Sequence, residues 1–382
     1  MLVIKNASVF TAVSNEIIEN CDIAIDNGKI IDIGHNLPCE NCEIIDATDK
    51  FITPGLVDAH SHIGGFGVGN SSGDLNEMSN SSTPYTEAIY GVDPDSPDFK
   101  RVMEAGITTS VITPGSGNVI CGTAFATKSN GNNIMDMCIK NPVAMKVALG
   151  GNPKGVYGKK GQLPITKMGV AYVIKNTLYE GQKYLQKKES GDEDFKFNIG
   201  MENIVKVLKK EIPLKVHCEQ VDMLTIAEIA NSFDVDFTIE HAWGASCFID
   251  ELASSHIKGI NFGPIGVYLT PGECGLVDIQ SVCDLTEKGV TCSLITDGPL
   301  TTPFSLILQA GELVRFGMPL TDALKTITIN PALISDISDR VGSIEKGKDG
   351  DLVIFDGIPA LETDAKILYT IIEGKTVYSS ID

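Results

Sequence analysis

The chain has 382 residues, with 50 acidic against 30 basic side chains and a formal charge of −20 at pH 7. Such a balance repels phosphate backbones and anionic lipid surfaces, so neither nucleic acid nor a membrane is an expected partner. No apolar run approaches the ~18 residues of a spanning helix, and the start, MLVIKNASVF, lacks the long apolar stretch of a secretory signal, which predicts a cytoplasmic protein. The length suits one large domain with a smaller companion. Ten cysteines are scattered along the chain, and a reducing cytosol predicts free thiols. Cys39 and Cys42 form a CxxC without a second pair at zinc-ribbon distance, so they are placed in a loop.

Residues 1–52 read as short strands in LVIKNASVF, CDIAIDNGKIIDIGH and EIIDATDKFI, the second broken at Asn27-Gly28, a strong hairpin signal. Residues 342–382 have the same character in DGDLVIFDG and AKILYTIIEGKTVYSS. Strands from both termini therefore join in one small β-domain. Between them, over 53–341, strand-like and helix-like runs alternate as in a parallel βα architecture. The strand candidates are 56–60, 108–112, 143–149, 213–217, 236–241, 259–262 and 290–296. Helices are predicted at 202–210, 223–231, 247–256 and 301–316. Several strands end in Gly or Pro, as tight turns at the mouth of a (β/α)8 barrel require. Only seven strands are clear, and the eighth lies either at 119–128 or near 171–174.

PGLVDAHSHIG sets His60 and His62 two apart on one strand, so both rings share a face and can point at one object. Neutral imidazole is a common ligand for transition metals, and two from one strand make half a site. His217, His241 and Asp297 each stand at the C-terminal end of a predicted strand and so return to the same rim. His35 falls in the small β-domain and His256 follows a helix, where a structural or surface role fits them better. Lys146, inside VAMKVALGG, shares its strand face with Ala144 and Ala148 and is predicted to point into the barrel. A buried lysine loses its charge readily, and the neutral amine can take up carbon dioxide as a carbamate able to bridge two ions; the alternative is a lysine held by a neighbouring carboxylate. Lys128, ending TAFATK, is its rival.

Taken together, these segments resemble the amidohydrolase superfamily, in its imidazolonepropionase-like branch. The likeness runs nearly the full length, through AGITTSVITPGSGN, AMKVALGGNPKGVYG, KVHCEQVD, TIEHAWGA and ITDGP to NPALISDISDRVGSIEKGKDGDLVIFDG. It implies a distorted (β/α)8 barrel with a β-sandwich built from both termini, with His60 and His62 after the first strand, Lys146 on the fourth, His217 on the fifth, His241 on the sixth and Asp297 after the eighth. A divalent metal, one or two ions, follows as cofactor. Zinc suits an imidazole-rich set, while manganese, iron or nickel suits a mixed set with carboxylate. Asp297 is then the proton carrier in hydrolysis of an amide or cyclic amide of a small molecule.

The chain departs from close relatives of that branch in two places. Gly298 stands where they tend to carry a histidine, and Glu219-Gln220 where they tend to carry a basic residue, so an anion contact is missing. Metal-dependent deaminases usually show HxxE after the fifth strand, whereas this chain reads HCE. A dipeptidase-like or deaminase-like hydrolase and a metal-holding relative without turnover remain as alternatives, and self-association is left open. Residues 64–100, rich in Gly, Ser, Asn, Asp and Pro, form either a lid over the mouth or a passive surface loop. Trp243 is either a wall of the pocket or a buried structural residue, with Glu219 the other candidate substrate contact. The Gly-rich ITPGSGN lacks the Lys and Ser/Thr of a phosphate-binding loop.

Overall fold

The computed structural model describes residues 1–66, 73–267 and 275–381. In chain order the strands are β1 (Leu2–Phe10), β2 (Ile17–Asp26), β3 (Lys29–Gly34), β4 (Glu43–Asp46), β5 (Phe51–Pro54), β6 (Leu56–Ser61), β7 (Ile107–Ile112), β8 (Ile120–Lys128), β9 (Cys138–Ala148), β10 (Leu214–Cys218), β11 (Phe237–His241), β12 (Gly259–Phe262), β13 (Cys292–Leu294), β14 (Leu352–Phe355), β15 (Ile367–Ile372) and β16 (Lys375–Ser379). They form two sheets.

Strands from the two ends of the chain make the first sheet, in the order β16-β15-β14-β5-β1-β2-β3 with β4 against β1. The termini meet where β14 runs antiparallel to β5, Leu352 opposite Pro54 and Phe355 opposite Phe51. At the β2–β3 turn Asn27 and Gly28 take φ of 48° and 80°, the paired left-handed conformations of a tight hairpin. Alternate residues such as Ile4, Ile23, Ile25, Ile354 and Ile371 bury a separate apolar core.

The second sheet holds β6 to β13 in sequence order and is a nearly closed barrel. A parallel bridge between Ser61 and Gly298 brings its two edges together, reinforced by His62 N donating to Gly298 O at 2.6 Å. All neighbouring pairs are parallel except those of β8, which runs antiparallel to both β7 and β9. This is the eighth strand, at 120–128. Residues 171–174, the other candidate, lie inside the 24-residue helix Lys167–Ser190, capped by Thr166 and ended by Gly191 at φ 67°. Its buried Val170, Val173, Ile174, Thr177 and Leu178 follow helical spacing, a period the β-branched residues obscure.

The other helices stand close to their expected places, at Ile199–Leu208, Asp222–Phe233 and Ser305–Arg315. The stretch 247–256 divides into a 3₁₀ turn, Ala245–Phe248, and a short helix, Ile249–Ser254. No helix among the described residues is long and apolar enough to cross a membrane. Cys39 and Cys42 do lie in the loop between β3 and β4, but they are joined as a disulfide, which corrects the expectation of free thiols there. The loop sets their Cα atoms 5.7 Å apart, inside the span of a disulfide.

Lys128 ends β8 at the seam between the two sheets, where its Nζ meets Asp349 at 2.7 Å and Asp351 at 2.6 Å. Lys29 and Arg340 also hold Asp349, at 2.5 and 2.8 Å. Lys128 thus joins the barrel to the terminal sheet, and of the two candidates it is Lys146 that lies in the barrel interior. Burial pushes the Asp349 carboxyl up, but the neighbouring cations outweigh it and hold it below the usual range. Because its folded pKa is depressed, this group stabilises the fold above the unfolded value and ceases to do so as pH falls through the folded one. Lys128→Met should cost about 3 kcal/mol or more in denaturant titration at pH 7, since it takes a cation from each of two buried carboxylates, Asp349 and Asp351. The deficit should shrink as pH falls toward the depressed pKa of Asp349 and its carboxylate is protonated. Unchanged stability at pH 7 would mean that the seam does not depend on this lysine.

Candidate metal centre

Every candidate is carried to the C-terminal rim of the barrel by its strand. His60 lies on β6 with His62 just beyond it, Lys146 on β9, His217 on β10, His241 at the end of β11 and Asp297 three residues past β13. Parallel register sets Lys146 beside Lys215, and His217 beside both Ala148 and Glu240. The rings converge, with centroids 5.2 Å apart for His60 and His62, 5.0 Å for His60 and His241, and 4.4 Å for His217 and His241. Asp297 Oδ1 lies 3.3 Å from His62 Nε2 and 3.6 Å from His60 Nε2, and Lys146 Nζ lies 3.3 Å from His60 Nε2. Ligand atoms of His60, His241 and Asp297 all fall within 4.8 Å of one another. His217 Nε2 sits 3.4 Å from Asn152 Nδ2 and 3.5 Å from Glu219 Oε1.

Hydrogen bonds fix which ring nitrogen faces the centre. His62 Nδ1 is 2.8 Å from Thr113 O, and His241 Nδ1 is 2.8 Å from Gly263 O. A carbonyl oxygen only accepts, so both rings must donate from Nδ1 and leave the Nε2 lone pair free. His60 Nδ1 is held in the same way, 2.8 Å from Glu240 Oε2.

Glu240 and Lys215 were missed from the sequence. Glu240 is fully buried and takes Lys215 Nζ on Oε2 at 2.7 Å, with Thr238 Oγ1 and Asn261 Nδ2 on Oε1, both at 2.8 Å. The signal existed, since a charged residue within the apolar runs PLKVH and TIEH is the same oddity that marks Lys146. Asp58 is a further buried acid, taking hydrogen bonds from Thr296 Oγ1, from Thr296 N at 3.3 Å and from His60 N at 3.2 Å.

Burial sets the charge states. It drives the His60 imidazole well below its ordinary pKa, helped by the charge of Lys146. His241 falls to about 4 by burial and the nearby His217, and Lys146 to about 8, again chiefly by burial. Burial raises Asp58 to about 6 against its hydrogen bonds from Thr296 and His60. For Asp297 burial pushes upward, but the neighbouring His62 and His241 rings and the charge of Lys146 together bring it below the usual carboxylate value.

A cavity of about 250 Å³ opens on this centre, lined in part by His62, His217, His241, Asp297, Phe66 and Leu300. Asn76 and Met78 bring the described part of 64–100 to its wall, and Ser116 and Gly117 bring ITPGSGN there, while residues 67–72 of the first segment lie outside the described residues. Trp243 is buried against His241 with ring centroids 4.9 Å apart. Neither it nor Glu219 is among the cavity-lining residues described. His35 bonds to Asn20 O in the terminal sheet, and His256 lies beyond the helix Ile249–Ser254.

A solved structure of an amidohydrolase from Thermotoga maritima MSB8 is 35% identical to this chain and superimposes with a TM-score of 0.93, over 99% of this chain and 100% of that one. The chain belongs to the amidohydrolase family. The family model described as the amidohydrolase family matches residues 269–377. The chain is 26% identical to the imidazolonepropionase of Treponema denticola over 362 residues, 87% of this chain and 85% of that protein. It is 25% identical to amidohydrolase tasK of Hapsidospora irregularis over 373 residues, 88% of this chain but 38% of that protein, so it spans little more than a third of that relative's length.

The hydrogen bonds of the rings generate a prediction for this amidohydrolase without metal. After chelator treatment, ¹⁵N correlation spectra should show the Nδ1 of both His62 and His241 carrying a proton, with no Nε2–H tautomer populated. An Nε2–H tautomer at either ring would show that the carbonyl contacts do not orient the site.

Proposed function

We propose that this amidohydrolase cleaves an amide or cyclic amide C–N bond with a divalent metal held by His60, His62, His217, His241 and Asp297, and by Lys146 in carbamate form. In this reading residues 53–341 are the catalytic unit, and 1–52 with 342–382 form the composite β-unit that braces it. The carrying observation is that three rings anchored through Nδ1 turn Nε2 inward, two of them to within 3.6 Å of one carboxylate oxygen. The donor set fits the ion, since neutral imidazoles with a carboxylate suit zinc and equally manganese, iron or nickel. Lys146 supports a two-ion form. Burial leaves part of its amine neutral at pH 7, and attack of that nitrogen on carbon dioxide forms one N–C bond and releases one proton, leaving an anionic carbamate.

A bound divalent ion supplies Lewis acidity, making water acidic near neutral pH and withdrawing electrons from a carbonyl oxygen. The chain's own residues supply the rest. Asp297, ionised and 3.3 Å from His62 Nε2, accepts the proton of the attacking water and returns it to the leaving nitrogen. Phe66, Met78, Val156 and Leu300 give the cavity an apolar wall that excludes bulk water.

Two measurements test this reading. His60→Ala or His62→Ala should sharply lower metal content by elemental analysis, and Lys146→Ala should lose at least one equivalent, partly restored by short carboxylic acids. Full metal retention in both histidine variants would remove the site. In a screen of dipeptides, N-acyl amino acids, cyclic imides and lactams, Asp297→Asn should keep much of the metal yet lose on the order of 100-fold or more in rate on any substrate the wild type cleaves. Near-normal turnover would falsify its role as proton carrier.

A further inference from the structure

The cavity at the metal centre, about 250 Å³, is slightly smaller than ordinary ligand pockets of roughly 300–1,000 Å³. It does not end there. A second cavity of about 450 Å³ shares Met78, Asn152 and Val156 with it and continues along Gly151 and Gly155 to Lys159 and Lys160. Asn152 stands at the junction, its Nδ2 3.4 Å from His217 Nε2. A side chain added at Gly155 would meet nothing within 4 Å, so the passage is open on that side.

The two cavities differ in charge. Among the described lining residues, Asp297 is the one ionisable carboxylate of the first, whose walls are otherwise neutral or imidazole, while the second has two lysines and no acid. Among the described residues Lys159 and Lys160 have no carboxylate partner, whereas Lys140 and Lys167 from the same part of the chain pair with Asp336 and Asp222. Lys160 is held in place by donating to Met78 O at 2.9 Å and by the Tyr157 ring, whose centroid lies 5.2 Å from Nζ. The setting is built into the sequence. Between Asp136 and Glu180 the chain has seven lysines and no acidic side chain, in a protein of net charge −20. An anionic substrate approaching such a protein is repelled overall, and a local pair of unneutralised cations beside the reacting centre offsets that repulsion.

We infer that the substrate is an amide carrying a carboxylate at the end away from the scissile bond, with the amide at the metal centre and the carboxylate at Lys159 and Lys160. The inference rests on the proposed hydrolase reading for the placement of the amide, but binding tests it without turnover. The probes are the monoamides of succinic, glutaric and adipic acid against the corresponding diamides, which differ in charge and little in size. Affinities are measured by calorimetry on metal-loaded protein carrying Asp297→Asn, so that hydrolysis does not interfere. At least one monoamide should bind about 10-fold more tightly than its diamide. The preference should fall to within about twofold when Lys159→Gln and Lys160→Gln are added, return with Lys159→Arg and Lys160→Arg, and shrink as salt is raised. Equal affinities, no binding of either series, or a preference that survives the glutamine pair would overturn it. In the last case the carboxylate is held elsewhere, as at the metal itself. A wild-type protein that hydrolyses nothing yet shows the lysine-dependent preference would defeat the hydrolase reading and leave this one standing.

Discussion

A carboxylate buried at the centre of a barrel must be surrounded by donors, because an isolated charge there costs several kcal/mol. Glu240 meets that demand with partners from four different strands. Its oxygens take His60 from β6, Lys215 from β10, Thr238 from its own strand and Asn261 from β12, and Asn261 Oδ1 in turn accepts Ser293 Oγ of β13 at 2.5 Å. One acidic side chain thus links five strands across the interior. Neutralising Lys215 in this way also separates the two inward lysines that parallel register places side by side. Lys215 is spent on Glu240, and Lys146 faces His60 with no carboxylate within ion-pair distance among the described residues. His60, the first ring of the candidate metal centre, is therefore oriented from beneath by the charge balance of the barrel floor.

The rim of the site was legible in the sequence because its residues sit where a pattern ends. His60 and His62 break an apolar strand with period two, and His217, His241 and Asp297 each stand at or just past the end of an apolar run. The floor was less legible. Lys215 and Glu240 lie within strands already assigned as apolar, and their partnership depends on register between segments that local spacing does not relate. The direction of β8 was hidden for a similar reason. Its alternation is the same whether it pairs parallel or antiparallel, and only its short return into β9 distinguishes the two. The helix Lys167–Ser190 was masked by Val170, Val173, Ile174 and Thr177, whose β-branched side chains suggest a strand although their spacing is helical. The two terminal segments were the easiest part, since both hairpins carry a left-handed residue followed by glycine, at Asn27-Gly28 and Glu373-Gly374.

The backbone at the rim shows a cost accepted for geometry. On a strand, Glu240 and His241 should face opposite sides, yet both reach the interior. His241 does so with φ 71°, and Ala242 follows with φ 52°. Asp297 repeats the device at φ 54°, directly after Thr296, whose hydroxyl already bonds to Asp58. Left-handed backbone at residues other than glycine costs about 1–3 kcal/mol each and persists where the surroundings over-determine it. They do so here. His241 is fixed by its Nδ1 bond to Gly263 O, and its own carbonyl accepts Gly263 N at 3.3 Å, while Asp297 N donates to His60 O at 3.2 Å and its carbonyl accepts Leu300 N at 3.0 Å. Glycine would adopt these conformations at less cost but would bring neither an imidazole nor a carboxylate to the centre. Among the candidate ligands, positive φ therefore falls on His241 and Asp297, where the chain leaves a strand and must turn a side chain inward, whereas His60 and His62 are delivered by ordinary strand spacing.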